Sequence, residues 1–445
     1  MQLNKGMTRQ QEPVTAVIVG AGHRALIYAG YAEQHPDELR IVGVADPDPL
    51  RREQTASRFR LPADRTFATV EELTAVPRFA DAAINGTMDH LHVQTTIPLL
   101  RAGYDVLLEK PIGVSEAEVL DLQQTAQKYG RRVMICHVLR YAPFYAAIRR
   151  QVEEGAIGDI VNVQTVEAVS FHHMAMAYVR GKWGNSSRCG STILMAKCCH
   201  DLDMMTWMLQ GKKPVQVSSF GSLTRFRPDK APEGAGTRCL VDCAIEASCE
   251  YSARRQYLEK GLWDFYIWEN LHLGQAPAEE EKEDILRHRS PYGRCVWHCD
   301  NDAVDTQAVI VEFEDGSTAT HNLVGATAKP CRTIHLTGTL GEIQGSMEDG
   351  SFTIRRPDLD APRRYTEEKV AVDVKGEMHG GGDLRLVADF VRMLRGETLS
   401  LSTTSLEQSI YGHRIGFAAD RSRIERRTVA IDVSAMAMAK GDSDQ

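Results

Sequence analysis

The strongest constraint on the fold is a short apolar run that ends in a glycine-containing turn, within residues 14–25. Residues 17–19 are β-branched, as is typical of a strand buried inside a parallel sheet. Gly20, Gly22 and Ala25 follow in the pattern G-x-G-x-x-A. The first glycine permits a tight turn, the second lets a diphosphate approach the backbone, and the alanine lets a helix pack closely. This stretch therefore predicts the first strand, turn and helix of a dinucleotide-binding sheet.

A second apolar run, residues 41–45, ends in Asp46. A carboxylate there can accept hydrogen bonds from the ribose hydroxyls of adenosine and would repel a 2′-phosphate. The cofactor predicted is therefore NAD, the alternative being the same fold with an empty crevice. The other residues predicted to contact the cofactor follow the glycine turn or the later strands: His23, Arg24, Asn85, Gly86, Thr87, His90, His92, Glu109, Lys110, Pro111, His137 and Arg140.

Strand and helix patterns alternate over the first third of the chain, which predicts an α/β domain with a doubly wound parallel sheet of the Rossmann type over residues 1–136. Further strands are predicted at 82–85, 105–108 and 132–136, with helices at 48–59, 89–101 and 115–130.

The pattern changes after residue 136, since later strands follow one another without intervening helices. Asp315-Gly316 is a hairpin signal between two alternating runs. Residues 137–432 are therefore predicted to form an α+β domain with a mostly antiparallel sheet, interrupted by an irregular insertion at 225–300, and 433–445 to form a flexible tail. The elements predicted within residues 137–432 are helices 143–154, 383–394 and 405–423, the strand 160–170, and the hairpins 306–323 and 332–347.

Charge and composition narrow the classes of partner. The 445 residues carry a net charge of −8 with the two signs interspersed, which predicts no nucleic-acid partner. No apolar run is long enough for a membrane span, and the polar start of the chain lacks the core of a signal peptide, so a cytoplasmic protein is expected.

The ten cysteines are predicted to be reduced thiols, and no metal is predicted. Structural zinc stays open at two clusters whose spacings match no common zinc motif. These are Cys239, Cys243 and Cys249, and Cys295, His298 and Cys299.

Two residues are predicted to carry the chemistry. Lys110 follows a central strand, where open α/β sheets place ligands, and Pro111 restricts the backbone beside it. Its ammonium could bind a substrate hydroxyl and stabilise a developing alkoxide. His200 begins an apolar helix and could accept the hydroxyl proton as hydride leaves.

With Gly20-x-Gly22, Glu109-Lys110-Pro111 and a histidine that opens a helix in the second domain, residues 14–432 resemble the Gfo/Idh/MocA oxidoreductase family. The resemblance implies a Rossmann domain joined to an open-faced sheet, NAD or NADP as cofactor, sugars and cyclitols as substrates, and homodimers or homotetramers. It also implies that His200 is the acid–base residue. The family has an aspartate four positions earlier, where this chain has Ala196.

That departure leaves two possibilities, namely that Lys197 takes a catalytic role or that a carboxylate comes from elsewhere. Tyr141 is a further candidate proton carrier. Substrate contacts are predicted for residues before or beside these groups: Lys110, Arg140, Tyr141, Lys182, Trp183, Arg188, Lys197, His200 and His379.

The predicted function is hydride transfer between a sugar hydroxyl carbon and NAD. The excess of cationic candidates in an acidic chain favours an anionic sugar. The alternative is a redox-neutral glycoside hydrolase, for example on sulfosugar or aminosugar glycosides, that oxidises its substrate, eliminates, hydrates and reduces it again. A non-catalytic NAD sensor is a third reading, disfavoured because Lys110 and His200 are both present.

Overall fold

The computed structural model describes residues 12–268, 277–374 and 378–432. The predicted tail at 433–445 lies outside the described residues. Among the helices that are described, none has the length and apolar character needed to cross a bilayer.

Within the described residues, the first sheet has six strands, all parallel, in the order β3-β2-β1-β4-β5-β6. Apolar side chains are buried on both of its faces, as expected for a doubly wound sheet. The predicted Rossmann sheet is thereby confirmed. Its strands are β1 (Val14–Val19), β2 (Leu39–Ala45), β3 (Thr66–Phe67), β4 (Ala82–Asn85), β5 (Asp105–Leu108) and β6 (Val133–Ile135).

The helices of this domain begin and end at local signals. Asp48 accepts a hydrogen bond from the Leu50 amide and caps α3, and Ser115 does the same for α6 through the Glu118 amide. The helices are α1 (His23–Ala29), α2 (Tyr31–Gln34), α3 (Pro49–Phe59), α4 (Val70–Ala75), α5 (His92–Arg101) and α6 (Glu116–Tyr129).

The second sheet has nine strands among the described residues, in the order β14-β13-β12-β11-β7-β10-β9-β8-β15. Only the pair β7 and β10 is parallel there, so the predicted mostly antiparallel sheet is confirmed. The strands are β7 (Ile160–Ser170), β8 (Pro214–Ser222), β9 (Thr306–Phe313), β10 (Thr318–Thr327), β11 (Cys331–Gly338), β12 (Glu342–Ser346), β13 (Ser351–Pro357), β14 (Tyr365–Ala371) and β15 (Val429–Ala430).

The two faces of the second sheet differ. One face packs against helices and holds the buried core of the domain. The other face presents alternate side chains outward, including Phe220, Ile310 and Val324, which are 71%, 51% and 40% exposed. The sheet is therefore open on one side.

The second domain also contains irregular and regular helices. A π-helical turn, Met174–Arg180, follows β7, and another, Arg254–Glu259, lies in the insertion. The helices are α7 (Pro143–Glu153), α8 (Phe171–His173), α9 (Ser186–Cys189), α10 (Ile193–Ala196), α11 (Cys199–Met208), α12 (Asp264–Ile267), α13 (Glu279–His288), α14 (Gly382–Arg395) and α15 (Leu406–Glu425).

The end of the chain returns to the first domain. Leu386 and Phe390 of α14 are buried in the same apolar cluster as Ala25 and Tyr28 of α1. Leu406, at the start of α15, is buried against the opposite face of the first sheet. The two domains therefore share an extensive junction, and residues after 378 belong to the packing of both.

Candidate active site

A cavity of about 290 Å³ lies between the two domains. Its first wall comes from the loops that follow the parallel strands, and its second wall comes from the second domain and the insertion. The predicted site residues that line it are Gly22, His23, Arg24, Gly86, Thr87, His92, Glu109, Lys110, Lys182, Trp183, Lys197, His200 and His379.

The glycine turn has the geometry that a dinucleotide needs. Gly20 has φ +77°, and a Cβ built there would lie 2.7 Å from the Thr87 amide nitrogen, so only glycine fits. A Cβ on Gly22 would meet nothing closer than the Arg51 guanidinium, 4.0 Å away. The backbone at Gly22 is thus open to the cavity, and the residues present fit the diphosphate of NAD.

Asp46 lies buried at the end of β2, beside this turn. One of its carboxylate oxygens accepts a hydrogen bond from the Ala21 amide at 2.7 Å, and the other accepts from the Asp48 amide at 2.8 Å. The carboxylate therefore fixes the turn as well as carrying a negative charge beside it.

Glu109 anchors the loop that carries Lys110. One of its oxygens accepts hydrogen bonds from Arg24 at 2.9 Å and from Tyr28 at 2.7 Å, and the other accepts from the Lys110 amide at 2.7 Å. Burial opposes ionisation, but Arg24 and Lys110 outweigh it and lower the pKa of Glu109 to about 2. Glu109 is therefore ionised, and its hydrogen bonds hold the loop that carries Lys110 in place.

Lys110 reaches across the cavity to the second domain. Its Nζ donates a hydrogen bond to the Ala196 carbonyl oxygen at 2.7 Å. That carbonyl lies at the end of α10, one short turn before the start of α11, where His200 is buried. The backbone at Ala196 thus receives the lysine.

Four charged groups lie together beside the segment that carries His200; Glu167, Asp201 and Arg332 are buried, and Lys197 is partly buried. Arg332 Nε contacts Glu167 at 2.5 Å and Asp201 at 3.3 Å, and Lys197 Nζ lies 3.5 Å from Glu167. Burial raises the pKa of Asp201 to about 7, although Arg332 opposes this shift. Lys197 and Arg332 therefore face the cavity with carboxylates already beside them.

Aromatic side chains form most of the second wall. Trp183 donates its indole N–H to Asp89 at 3.3 Å, and Lys182 Nζ lies 4.3 Å from the centre of the Trp183 ring. From the insertion, the Phe265 ring stacks on the His23 ring with 4.7 Å between centroids. The insertion thus closes directly over the glycine turn.

Comparison with known proteins matches this architecture. Residues 14–137 match the model described as oxidoreductase family, NAD-binding Rossmann fold, and residues 145–258 match the GFO/IDH/MocA C-terminal domain. The chain belongs to the Gfo/Idh/MocA oxidoreductase family. Its first domain is the NAD-binding domain of that family, and the predicted enzyme class and cofactor are confirmed.

Individual relatives are distant. YteT of Bacillus subtilis, named as an oxidoreductase, is 22% identical over 80% of this chain and 83% of its own length. Mouse trans-1,2-dihydrobenzene-1,2-diol dehydrogenase is 29% identical over 46% of this chain and 59% of its own length. Levoglucosan dehydrogenase, solved with NADH and levoglucosan, has a TM-score of 0.66 at 16% identity, covering 94% of this chain and all of that one.

Two predicted contact residues lie away from the cavity. Arg140 makes a two-pronged pair with buried Asp203, at 2.7 and 2.6 Å. Tyr141 is buried, and its hydroxyl donates a hydrogen bond to Asp389 at 3.0 Å. Burial, followed by the charge of Asp389, raises the pKa of Tyr141 well above its ordinary value. Both side chains are thus committed to the domain junction, and the structure does not bring them to the cavity as predicted for substrate binding by both residues and for proton transfer by Tyr141.

Arg188 is also misplaced by the sequence interpretation. Its side chain is about half exposed and pairs with Asp300 outside the cavity. His90 is exposed and packs over Gly190 rather than lining the cavity. Both residues are polar and lie near the end of a strand or a helix, which is why the sequence suggests a site role. In the folded protein their side chains point away from the cavity.

Several predicted cofactor residues support the cavity from behind. Asn85 donates hydrogen bonds to Thr95 and Thr96, each at 2.8 Å, and His137 is fully buried. The supporting group, none of which lines the cavity, is Gly20, Ala25, Asp46, Asn85, Pro111 and His137.

Sequence reasoning missed most of the second wall. The aromatic run around residues 263–266 was a visible signal, but its distance from the glycine turn hid its relevance. Tyr178 is presented by the π-helical turn after β7, an irregularity common at functional sites, and His173 immediately precedes that turn at the end of α8. The missed lining residues are Arg51, Asp89, His173, Met176, Ala177, Tyr178, Trp263, Phe265, Tyr266, Tyr292 and Arg332.

The two predicted cysteine clusters do not gather three ligands. Across the described ranges, one group of three potential metal ligands lies within 4.8 Å, formed by Cys198, Asp201 and His321. Arg332 Nε lies 3.3 Å from Asp201, so this group already has one cation beside it.

Proposed function

We propose that this enzyme oxidises a hydroxyl group of a sugar or related polyhydroxylated ring by hydride transfer to NAD. The observation that carries the proposal is that one cavity joins the glycine turn at Gly22 to Lys110 and His200. An acid–base pair beside a nicotinamide site is the arrangement that alcohol oxidation requires.

The two residues have complementary roles in this proposal. Lys110 holds the hydroxyl oxygen and stabilises negative charge as it develops there, since its ammonium is already aimed by the bond to Ala196. Burial, followed by the positive charge of Lys110, lowers the pKa of His200 well below its ordinary value. A neutral imidazole beside the lysine can receive a hydrogen bond from the substrate.

The character of the second wall supports a neutral, ring-shaped substrate. Trp183 and Tyr178 offer aromatic faces on which the C–H face of a sugar can pack. Of the five cations that suggested an anionic sugar, Arg140, Arg188 and Lys197 each lie beside a carboxylate. An anionic substrate remains an outcome of the experiment below.

The glycoside hydrolase is the second candidate, and one observation favours it. The stacking of Phe265 on His23 covers the glycine turn, as a cofactor that never leaves would need. Tyr141, however, is withdrawn from the cavity, and Lys197 is paired with Glu167. Net oxidation therefore stands first.

The deciding experiment supplies free sugars and glycosides separately. Purified protein is incubated with NAD and levoglucosan, myo-inositol, D-glucose or D-glucuronate, and in parallel with nitrophenyl glycosides. Stoichiometric NADH from a free sugar supports oxidation, whereas aglycone release without net NADH supports the hydrolase. If glucuronate is turned over as fast as glucose or faster, the prediction of an anionic substrate is supported instead.

We also propose a homodimer or homotetramer built through the open face of the second sheet. Phe220 and Ile310 are exposed large apolar side chains on that face, which is the signature of a surface covered by a partner. Phe220→Asp and Ile310→Asp should lower the mass measured by light scattering, while Leu359→Asp, at a still more exposed position in the β13–β14 turn, should not. An unchanged mass for both face variants would contradict this interface.

A further inference from the structure

The turn before α14 holds His379 in an unusual backbone conformation. His379 has φ 51° and ψ 31°, and the next two residues, Gly380 and Gly381, also have positive φ, at 61° and 78°. A side chain with a Cβ disfavours this region. Gly382 fits closely against Val138, since a Cβ there would lie 2.1 Å from the Val138 carbonyl oxygen. The fold therefore imposes the conformation that presents His379 to the cavity.

His379 is oriented by a buried carboxylate. Its Nδ1 lies 3.1 Å from an oxygen of Asp383, and the other oxygen of Asp383 accepts a hydrogen bond from Arg24 at 2.5 Å. Burial opposes ionisation of Asp383, but Arg24 and His379 lower its pKa to about 2. The ionised carboxylate accepts a hydrogen bond from the Nδ1–H group, so Nδ1 keeps its proton and Nε2 is the nitrogen that can take a second one.

His200 lacks this support. Within the described part of the chain its Nδ1 is buried without a hydrogen-bond partner, and the family's aspartate position holds Ala196. The His200 and His379 rings are 6.0 Å apart between centroids. A hydroxyl bound between the two rings could therefore contact both.

We propose that His379 and Asp383 form the proton-accepting dyad of this cavity and supply the function of the carboxylate absent at position 196. The inference rests on the proposed oxidation. As the substrate O–H bond breaks, its proton moves to Nε2 of His379 and Asp383 stabilises the resulting imidazolium. The carbinol C–H bond breaks in the same step, its hydrogen and two electrons pass to nicotinamide, and a carbonyl forms.

The charges around His379 are consistent with this role. Burial lowers the pKa of His379, while the hydrogen bond to Asp383 raises it in opposition. The ring is thus neutral before the reaction and is stabilised by a carboxylate after it. The titratable and charged groups that face it from the neighbouring elements are His23, Arg24, His173, Lys197, His200 and Asp383.

The test separates the dyad from a merely structural contact. His379→Gln and Asp383→Asn should each lower the hydride-transfer rate with levoglucosan or myo-inositol, by on the order of 10²-fold for the first, with NAD affinity by calorimetry within about threefold. Free imidazole should restore part of the activity to His379→Ala. The matched control is the exposed Asp284 and His288 pair, which has the same spacing of four residues, so Asp284→Asn and His288→Gln should change nothing.

A second readout needs no turnover. The protein is labelled with ¹⁵N-histidine, and the His379 signals in its NMR spectrum are assigned as those that disappear in His379→Gln. In the wild type these signals should show a proton on Nδ1, and Asp383→Asn should shift or remove the signal of that proton. Near-native rates in His379→Gln, or an Nε2 proton on His379 in the wild type, would overturn the dyad. If the wild type oxidises none of the sugars, the proposed oxidation fails, and the nitrogen spectra alone decide whether the dyad exists.

Discussion

The two walls of the cavity are built by different means. The first wall is made from the ends of parallel strands, where backbone geometry at Gly20 and a buried carboxylate at Asp46 fix the shape. The second wall is made from side chains of irregular segments, such as Trp183 and Phe265, held by contacts with residues distant in sequence. The difference indicates that backbone geometry determines the shape of the first wall, whereas particular side-chain pairs determine that of the second.

The largest expected effect lies where the two walls meet. Lys110→Met and His200→Gln should each lower kcat by about 10²-fold or more, because they remove charge stabilisation or a hydrogen bond to the reacting hydroxyl. NAD affinity measured by calorimetry should be preserved, since neither variant touches the glycine turn. Lys128→Met, on the exposed side of α6, is the control, and near-native turnover in His200→Gln would remove His200 from the chemistry.

Acidification should weaken the junction between the domains. Burial, above all, lowers the pKa of His137 to about 4 and that of His413 to about 3. Because both native values lie below the unfolded value of about 6.5, the native state binds fewer protons between these limits. The stability contributed by these two histidines is therefore fully present above about pH 6.5, and it falls by ~1.4 kcal/mol per pH unit for each histidine as the pH drops towards 4.

Urea unfolding at about pH 7, 6 and 5 measures that slope. His413→Gln should reduce the slope by roughly the contribution of one histidine, whereas His288→Gln at an exposed position should leave it unaltered. A slope that is the same in His413→Gln as in the wild type would contradict the burial of a neutral His413 at the junction.

A smaller effect distinguishes the cofactors on the first wall. NAD should bind at least about tenfold more tightly than NADP, because the buried Asp46 carboxylate would face the 2′-phosphate at a cost of more than ~1.4 kcal/mol. Asp46→Asn should reduce the ratio of NAD affinity to NADP affinity. Asp64→Asn, at an exposed position of the same domain, should leave this ratio unchanged. Equal affinities in the wild type by calorimetry would show that Asp46 does not select the cofactor.

The smallest effect concerns the contact between the walls. Phe265→Ala should speed NADH release by about two- to tenfold, since stacked aromatic pairs contribute about 0.5–1.5 kcal/mol beyond area burial. Stopped-flow displacement of NADH gives the rate. A release rate equal to that of the wild type would mean that the stacked pair does not retain the cofactor.

The accuracy of the sequence predictions follows the same division. Strands β4 and β5 coincide with their predicted bounds, and α3 and α6 begin at predicted caps, because short apolar runs and capping side chains are local signals. Arg140 and Tyr141 are predicted to contact substrate because, in the proteins that the chain resembles, the segment after the last Rossmann strand lies beside the nicotinamide and substrate. Their actual partners, Asp203 and Asp389, are 63 and 248 residues away along the chain and leave no local trace.

By itself the sequence determined the doubly wound first domain, the mostly antiparallel second sheet, the glycine turn, and Lys110 and His200 as groups of one site. These depend on backbone conformation and periodicity, which neighbouring residues dictate. Only the tertiary structure decided which cations lie beside carboxylates and which aromatic rings close the cavity. It also decided that His379 contacts Asp383 through Nδ1 and lies beside His200. Those contacts arise between side chains separated in sequence, and packing of the whole chain selects them.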